Sequence, residues 1–183
     1  MMLAEGGSVA SRLLICRAAR RDGELLDATF GYLGNMGRWL HEYQAAQERG
    51  RGELLVAWVG TSLAGMAFLR FPPVGNQTVE LRLPGVPEIE SLNVREDLRR
   101  RGVGTGLVRA AEQAAATAGY RSCWLAVEPG NLGAYRLYKQ LGYRDWCCGQ
   151  VEFTYGCGGW LLPVVKRADV LVQQLAVGEA GQV

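Results

Sequence analysis

The feature that most constrains this chain of 183 residues is a run of arginines followed at once by a run of glycines. Residues 95–106 read Arg-Glu-Asp-Leu-Arg-Arg-Arg-Gly-Val-Gly-Thr-Gly and stand between a strand-like segment and a segment with helical periodicity. Three interpretations are open: a solvated surface turn, a nucleic-acid patch, or a cradle for a phosphorylated cofactor. Because the formal net charge is only +2, far from that of a general nucleic-acid binder, we expect no nucleic-acid partner.

The composition is that of a globular protein, with 49% hydrophobic and 21% charged residues. No segment approaches the roughly 20 apolar residues of a membrane-spanning helix, and the amino terminus lacks the apolar core of a signal peptide. The 5 cysteines are scattered and odd in number, which is typical of reduced thiols and predicts a cytoplasmic protein. With His41 as the 1 histidine and Cys147 adjacent to Cys148, no metal-site spacing is present.

Hydrophobic periodicity predicts an α+β fold in which helices flank one mixed sheet. The predicted strands are 13–19, 54–59, 64–71, 88–94, 122–127, 145–154 and 161–166. The predicted helices are 24–33, 38–49, 105–118 and 131–141, the last with Asn131 as its N-cap. Residues 72–87 are predicted to be a loop. We expect one domain over residues 1–167, followed by an extension, 168–183, with a short helix over 168–177 and a frayed end.

The arginine–glycine stretch has the properties of a phosphate cradle. The start of a helix presents about four backbone N–H groups without internal partners, and glycines let a diphosphate approach them closely. A Walker loop is excluded because its lysine is missing, and the third glycine of a dinucleotide fingerprint is missing too. The predicted cradle comprises Arg99, Arg100, Arg101, Gly102, Val103, Gly104, Thr105 and Gly106. If the arginines are instead a solvated run, they contact no ligand.

Two blocks of sequence resemble the signatures of the GNAT superfamily, the acetyl-CoA-dependent N-acyltransferases. Residues 99–104, Arg-Arg-Arg-Gly-Val-Gly, match the family's pyrophosphate loop, Gln/Arg-x-x-Gly-x-Gly/Ala. Residues 131–143, Asn-Leu-Gly-Ala-Tyr-Arg-Leu-Tyr-Lys-Gln-Leu-Gly-Tyr, resemble its second signature, and the helix and strand between the blocks also fit. The resemblance is specific over residues 88–145 and implies a GNAT-type fold with a mostly antiparallel twisted sheet flanked by helices.

The resemblance also implies direct transfer of an acetyl group from acetyl-CoA, as co-substrate, to a primary amine of a small molecule or a peptide. Tyr138 matches the family's general acid; otherwise it is a half-buried core aromatic. Removal of the amine proton falls to Glu88, to Glu90 on the same face of an unbulged strand, or to water. The bulged end of this strand, with Leu92, Asn93 and Val94, would pair through its backbone with the pantetheine arm of the cofactor. Asn131 would hold that arm or an ordered water, although helix capping alone also explains it.

Several alternatives stay open at this stage. The donor is an acetyl or a longer acyl group, since Gly133 leaves room near the thioester. A GNAT-fold sensor that binds acyl-CoA without catalysis is the non-enzymatic alternative. The acceptor lies beyond what the sequence predicts, and exposed edge strands permit a homodimer.

Overall fold

The structure, a computed structural model, describes residues 12–32, 36–155 and 164–176. The strands are β1 (Leu13–Arg17), β2 (Gly52–Val59), β3 (Ser62–Arg70), β4 (Glu88–Val94), β5 (Ser122–Val127), β6 (Arg144–Asp145), β7 (Val151–Tyr155) and β8 (Val164–Gln174). The helices are α1 (Gly23–Phe30), α2 (Met36–Glu48), α3 (Gln77–Arg82), α4 (Val103–Thr117) and α5 (Leu132–Leu141). Residues 33–35, into which the first predicted helix extends, lie outside the described residues.

One sheet organises these elements in the order β1-β2-β3-β4-β5-β8-β6, and β7 pairs with β8. Every neighbouring pair is antiparallel except β4 with β5. This arrangement confirms the predicted mixed fold with a mostly antiparallel sheet. The hairpin of β2 and β3 is buried on both faces, which explains why its sequence is nearly continuous in apolar residues.

Helices cover the two faces of the sheet. On one face, Leu55 of β2 belongs to the same buried cluster as Leu107 and Val108 of α4. On the other face, its neighbour Leu54 packs with Leu26 of α1 and with α2. Neighbouring residues of a strand point to opposite faces, so a single apolar strand contributes to both cores. Each fully buried leucine contributes roughly 1.5–3 kcal/mol to folding, which fixes both helical layers on the sheet.

The carboxyl-terminal segment corrects the sequence prediction. β8 extends to Gln174 and pairs with β5 along its length, with Val172 opposite Trp124. The predicted helix over 168–177 is therefore wrong, and β8 continues through residue 167, where the domain was predicted to end. Val170 and Leu171 are buried in the sheet, and a short apolar run of this kind fits a helix or a strand equally well by pattern alone. Residues 177–183, which include the end predicted to fray, lie outside the described residues.

Two further predicted segments differ from the structure. The loop predicted over 72–87 contains α3, which begins where the side-chain oxygen of Asn76 accepts a hydrogen bond from the Val79 N–H at 3.2 Å. The strand predicted over 145–154 is divided into β6 and β7. A turn with Gly149 at a φ of 79° separates them. Residues 161–163 of the last predicted strand are outside the described residues.

The parallel pair of β4 and β5 positions the site. Its ladder is confined to Glu88 opposite Trp124, and the Trp124 N–H donates to the Pro87 carbonyl at 3.0 Å. Beyond this point the two strands are no longer paired. Because α4 follows β4 and α5 follows β5 in the chain, both helices begin at the end of the sheet where the strands part.

Candidate active site

A cleft of about 1020 Å³ opens between the unpaired ends of β4 and β5. Leu92 and Asn93 line it from β4, and Ala126 and Val127 line it from β5. In a sheet, backbone N–H and C=O groups that have no neighbouring strand are free to pair with an extended ligand. The cleft therefore offers a strand edge inside the protein, which is rare in a continuous sheet.

Glu88 and Glu90 face this cleft together, as predicted for residues two apart on one strand. Glu88 is only 7% exposed. Burial, and next the negative charge of Glu90, raise the pKa of Glu88 well above its ordinary range, while the positive charge of Arg70 opposes the rise. Burial also raises the pKa of Glu90, against the charge and hydrogen bond of Arg70. A buried carboxylate with a raised pKa is a stronger proton acceptor than one in water.

A bulge interrupts β4 immediately after this pair. Ser91 has a φ of 53°, and the register with β3 shifts between Met66 and Phe68. The resemblance implied a bulged strand end, and the unbulged part of the strand ends at Glu90. The Ser91 hydroxyl lies 2.6 Å from that of Tyr43 in α2, so the first helical layer is tied to the bulge.

Tyr138 enters the cleft from α5. It is 6% exposed, and burial raises the pKa of its phenol to about 12. The hydroxyl therefore stays protonated near neutral pH and is able to donate a proton. Asn131 also lines the cleft, and its side-chain oxygen accepts a hydrogen bond from the Ala134 N–H at 3.2 Å, which confirms the predicted N-cap. Its pantetheine role stays a prediction.

The arginine–glycine loop forms the start of α4. Arg100 and Gly102 have φ values of 60° and 80°, and successive turns of this kind orient backbone N–H groups toward one side. The space in front of Gly102 is open, since a Cβ built there meets nothing within 4 Å. The loop thus has the open, amide-lined surface that a diphosphate requires.

The cradle is shorter than predicted. The Gly106 N–H donates to the Gly102 carbonyl at 2.8 Å and is the first amide used within the helix, so the available donors end at Thr105. A Cβ on Gly106 would lie 2.5 Å from Cδ1 of Ile15. This glycine therefore allows α4 to pack closely on β1 and does not open the cradle.

The other predicted loop residues differ in what they offer. The side chain of Val103 is buried in the core, so only its backbone N–H faces the cradle. A Cβ on Gly104 would meet Cδ2 of Leu137 at 3.4 Å and Val94 at 3.8 Å. All three arginines of the loop are exposed. Arg99 donates from Nε to the Val94 carbonyl at 3.2 Å.

Sequence reasoning missed Arg70. This residue is the last of β3 and lines the cleft beside both glutamates, as does Tyr43 of α2. A charged residue at the end of a buried apolar strand was the available signal for Arg70, because buried charges require a partner.

The other candidates lie elsewhere. His41 is exposed on α2, and Cys147 and Cys148 are exposed after β6. Gly133 has open space around it and is not part of the cleft lining. Within residues 12–32, 36–155 and 164–176, no group of three or more His, Cys, Asp or Glu side chains is arranged to hold a metal ion. No helix in the same ranges has the length and apolar character to cross a membrane.

Comparison with known proteins identifies the architecture. Residues 23–143, more than half of the chain, match the model of the acetyltransferase (GNAT) family. The chain belongs to this family. Over 64 residues, 35% of the chain, it is 38% identical to "GCN5-related N-acetyltransferase 4, chloroplastic" of Arabidopsis thaliana, and the match spans 22% of that protein's length.

Solved GNAT structures share the fold. The acetyltransferase of Bacillus subtilis in complex with CoA superposes with a TM-score of 0.60 at 20% identity, covering 90% of this chain and 100% of that one. The ribosomal-protein-alanine N-acetyltransferase of Brucella melitensis gives a TM-score of 0.63 at 19% identity, covering 88% and 99%. At these identities the likeness establishes the GNAT fold alone.

Proposed function

We propose that this GNAT protein transfers the acetyl group of acetyl-CoA to a primary amine of a small molecule or a peptide. The observation that carries the proposal is that Glu88 and Tyr138 line one cleft between β4 and β5, while Gly104 at the start of α4 lies next to Val94 at the end of β4. A proton acceptor, a proton donor and an anion-binding loop then serve one reaction centre. The Bacillus subtilis relative was solved with CoA, which supports a coenzyme A thioester as donor.

Acetyl-CoA fits the residues of this chain. The diphosphate is assigned to the N–H groups from Arg100 to Thr105, where the positive end of the helix dipole favours negative charge. Arg100 and Arg101 add positive charge from the exposed side of the loop. The pantetheine amides are assigned to the backbone edge of β4 at Leu92, Asn93 and Val94, on the side that β5 leaves unpaired, in the manner of an added strand. The carbonyl of Val94 already accepts a hydrogen bond from Arg99.

The chemistry balances as a direct transfer. The acceptor, an ammonium ion in neutral water, first releases one proton to solvent water. Its nitrogen lone pair then forms a bond to the thioester carbonyl carbon, and the second proton passes to the Glu88 carboxylate, directly or through water. The C–S bond breaks and the sulfur takes the Tyr138 proton. Proton return from Glu88 to Tyr138 through solvent restores both groups.

The electrostatics of the cleft favour a cationic acceptor. Glu88, Glu90, Glu128 and Glu152 all line it. Glu128 pairs with Lys166 at 2.7 Å, Glu152 with Arg167 at 3.2 Å and Glu90 with Arg70 at 2.6 Å, so Glu88 is the one of these four glutamates without a basic partner among the described residues. An ammonium group attracted to this site arrives beside Glu88, the carboxylate that accepts the second proton of its nitrogen during the transfer. Trp39 and Met36 offer apolar contact to the rest of the acceptor.

Replacement of Tyr138 by Phe tests the proposal, with Tyr135→Phe as the matched control. Both tyrosines belong to α5, but the Tyr135 hydroxyl bonds Asp145 at 3.2 Å and lies outside the cleft. With a panel of primary amines and acetyl-CoA, thiol release by Tyr138→Phe should fall roughly 10²-fold or more. Tyr135→Phe should retain parent turnover, and calorimetry should show unchanged acetyl-CoA affinity for both.

The outcomes separate an enzyme from a sensor. Thiol release by no acceptor, together with tight acetyl-CoA binding, would replace this proposal by the non-catalytic alternative. Equal turnover of Tyr138→Phe and the parent would remove the tyrosine from the mechanism. A longer acyl donor, the cytoplasmic location and a homodimer stay predictions that donor competition, cell fractionation and sedimentation would each test.

A further inference from the structure

The two glutamates of the cleft have different surroundings. In the register of β3 and β4, Arg70 is directly opposite Glu88, and Glu90 is opposite Phe68. Side chains of directly opposed residues lie on one face of the sheet, so the register alone places the Arg70 side chain beside that of Glu88. Its Nε nevertheless donates to Oε1 of Glu90 at 2.6 Å. Among the described residues, no hydrogen-bond donor contacts the carboxylate of Glu88.

Two aromatic rings hold the guanidinium in this direction. The rings of Tyr43 and Phe68 stack with centroids 4.2 Å apart. The Arg70 guanidinium carbon lies 5.3 Å from the Phe68 centroid and 5.9 Å from that of Tyr43. A cation within about 6 Å of an aromatic ring is attracted to its face. The Tyr43 hydroxyl is in turn bonded to Ser91, so the rings that hold Arg70 are themselves fixed to β4.

We infer that Arg70 is a positioning residue that fixes Glu90 as the permanent anion of the pair, so that Glu88 is the carboxylate that gains and loses the proton. The inference rests on the proposed acetyl transfer and adds to it a division of labour between two chemically identical groups. Glu90, paired with Arg70, then keeps its negative charge beside Glu88. Glu88 performs the proton transfer.

The physical basis is the mutual repulsion of two carboxylates in one desolvated site. When both cannot ionise freely, the proton goes to the group with the weaker cationic partner. Burial and the charge of Glu90 hold the pKa of Glu88 well above its ordinary range, in agreement with this order. The ionisable groups that face the pair come from α2, β3, α5 and the rim of the cleft: Glu42, Tyr43, Arg70, Tyr138, Glu128, Glu152 and Lys166.

A direct titration tests the inference without any acceptor. The whole protein is labelled with ¹³C at the glutamate side-chain carboxyl, and the two signals are assigned with Glu88→Gln and Glu90→Gln. In the parent, Glu90 should titrate at lower pH than Glu88. Arg70→Met should raise the pKa of Glu90 by roughly 1–3 pH units and so narrow the difference between the pKa values of the two glutamates. Arg70→Lys keeps the positive charge, so Glu90 should still titrate at lower pH than Glu88.

A control and a second variant keep the test decisive. Arg167→Met removes a cation that pairs with Glu152 on the rim and should leave the gap between the two titrations unchanged. Glu90→Gln removes the negative neighbour, so the pKa of Glu88 should fall. An unchanged pKa of Glu88 would mean that Glu90 is not ionised when Glu88 titrates, and would overturn the inference even if Arg70→Met does not fold. A parent in which Glu88 titrates first, or a gap that Arg70→Met leaves unaltered, overturns the inference.

Kinetics give an independent readout that a merely structural role would not move. Arg70→Met should shift the acid limb of kcat/KM to higher pH, since the ionised pair loses its cation. Glu90→Gln should shift the same limb to lower pH. If Arg70→Met lowers the rates but leaves the acid limb of kcat/KM at the same pH, the role of Arg70 is structural only. If no amine is acetylated the proposed function fails, whereas the carboxyl titration still decides the role of Arg70.

Discussion

The hydroxyl groups of Tyr43 and Ser91 lie 2.6 Å apart and join α2 to the bulge of β4. The two residues are 48 positions apart in the chain, and the bond is partly buried. It connects the helix that forms one wall of the cleft to the strand that carries both glutamates. The position of the acceptor wall relative to the reaction centre therefore depends on this contact.

Removal of either hydroxyl should destabilise the protein, and the two losses should not add. Tyr43→Phe keeps the ring stacked on Phe68, and Ser91→Ala keeps the backbone of the bulge. Each single variant should lower the free energy of unfolding by about 1 kcal/mol, because it leaves one hydroxyl without its partner. In urea titrations the double variant should lose clearly less free energy of unfolding than the sum of the two single losses, with a coupling energy of about 0.5–1.5 kcal/mol. Strict additivity would show that the hydroxyls do not interact in solution.

The parts of the fold that were predictable are those fixed by local patterns. β4 has the predicted bounds, and α5 begins after its predicted N-cap, Asn131, and ends at residue 141 as predicted, before Gly142 with a φ of 99°. The end of the chain was not predictable in the same way. Val170, Leu171 and Val172 become a strand because β5 offers them a partner, and the paired residues are 44 to 48 positions away in the sequence.

The residues of the candidate site divide in the same way, into those that belong to local motifs and those that only the fold brings together. Glu88, Glu90, Tyr138 and the loop at Gly102 fall on the predicted elements because each belongs to a local motif. Arg70 lies 20 positions from the glutamate it contacts, and only the antiparallel register of β3 and β4 brings them together. The first residue of α4 determines which amides of the cradle form hydrogen bonds within the helix. That residue lies two positions before the predicted start of the helix.

Replacement of Glu88 by Gln should make the protein more stable and inactive at neutral pH. The pKa of Glu88 is raised by folding above its ordinary value of 4.5, so the folded state binds the proton more tightly than the unfolded state. Its contribution to stability is therefore fully present below pH 4.5 and is lost as the pH rises toward the folded pKa. Since Gln imitates the protonated form, Glu88→Gln should gain about 1 kcal/mol or more at pH 8.

Urea titrations of parent and Glu88→Gln at several pH values check this expectation. The difference in the free energy of unfolding should be small near pH 4 and should grow steadily toward pH 8. Glu48→Gln, on the exposed end of α2, controls for the loss of one negative charge. A Glu88→Gln protein that is less stable than the parent at pH 8 would contradict a raised pKa for this carboxyl.

The exposed arginines of the loop should determine how acetyl-CoA binding responds to salt. Arg100→Gln with Arg101→Gln removes two charges and leaves the backbone cradle intact, because neither side chain is used in the core. The Kd for acetyl-CoA should rise roughly threefold to tenfold at low ionic strength, and the slope of log Kd against log salt should fall. Calorimetry from 20 mM to 500 mM NaCl measures both quantities.

Arg121→Gln is the matched control for charge, since Arg121 is equally exposed but lies before β5, at the opposite end of α4. It should leave the affinity and the salt dependence of acetyl-CoA binding unchanged. Equal salt dependence in the double variant and the parent would mean that the arginines form a solvated run and that the amides alone hold the diphosphate.

Gly65 allows three elements to meet behind the cleft, and an added methyl group should separate them. A Cβ on Gly65 of β3 would lie 2.8 Å from the Asn93 carbonyl of β4 and 3.0 Å from Leu107 of α4. Because a backbone atom cannot move aside as a side-chain end does, Gly65→Ala should lower the free energy of unfolding by about 1–3 kcal/mol. It should also weaken acetyl-CoA binding by displacing the strand edge at Asn93.

Gly133→Ala is the control, on α5 with open space around it. It should stabilise the protein by about 0.5–1 kcal/mol through helix propensity. Thermal and urea unfolding of the two variants would refute this close packing if both gained stability.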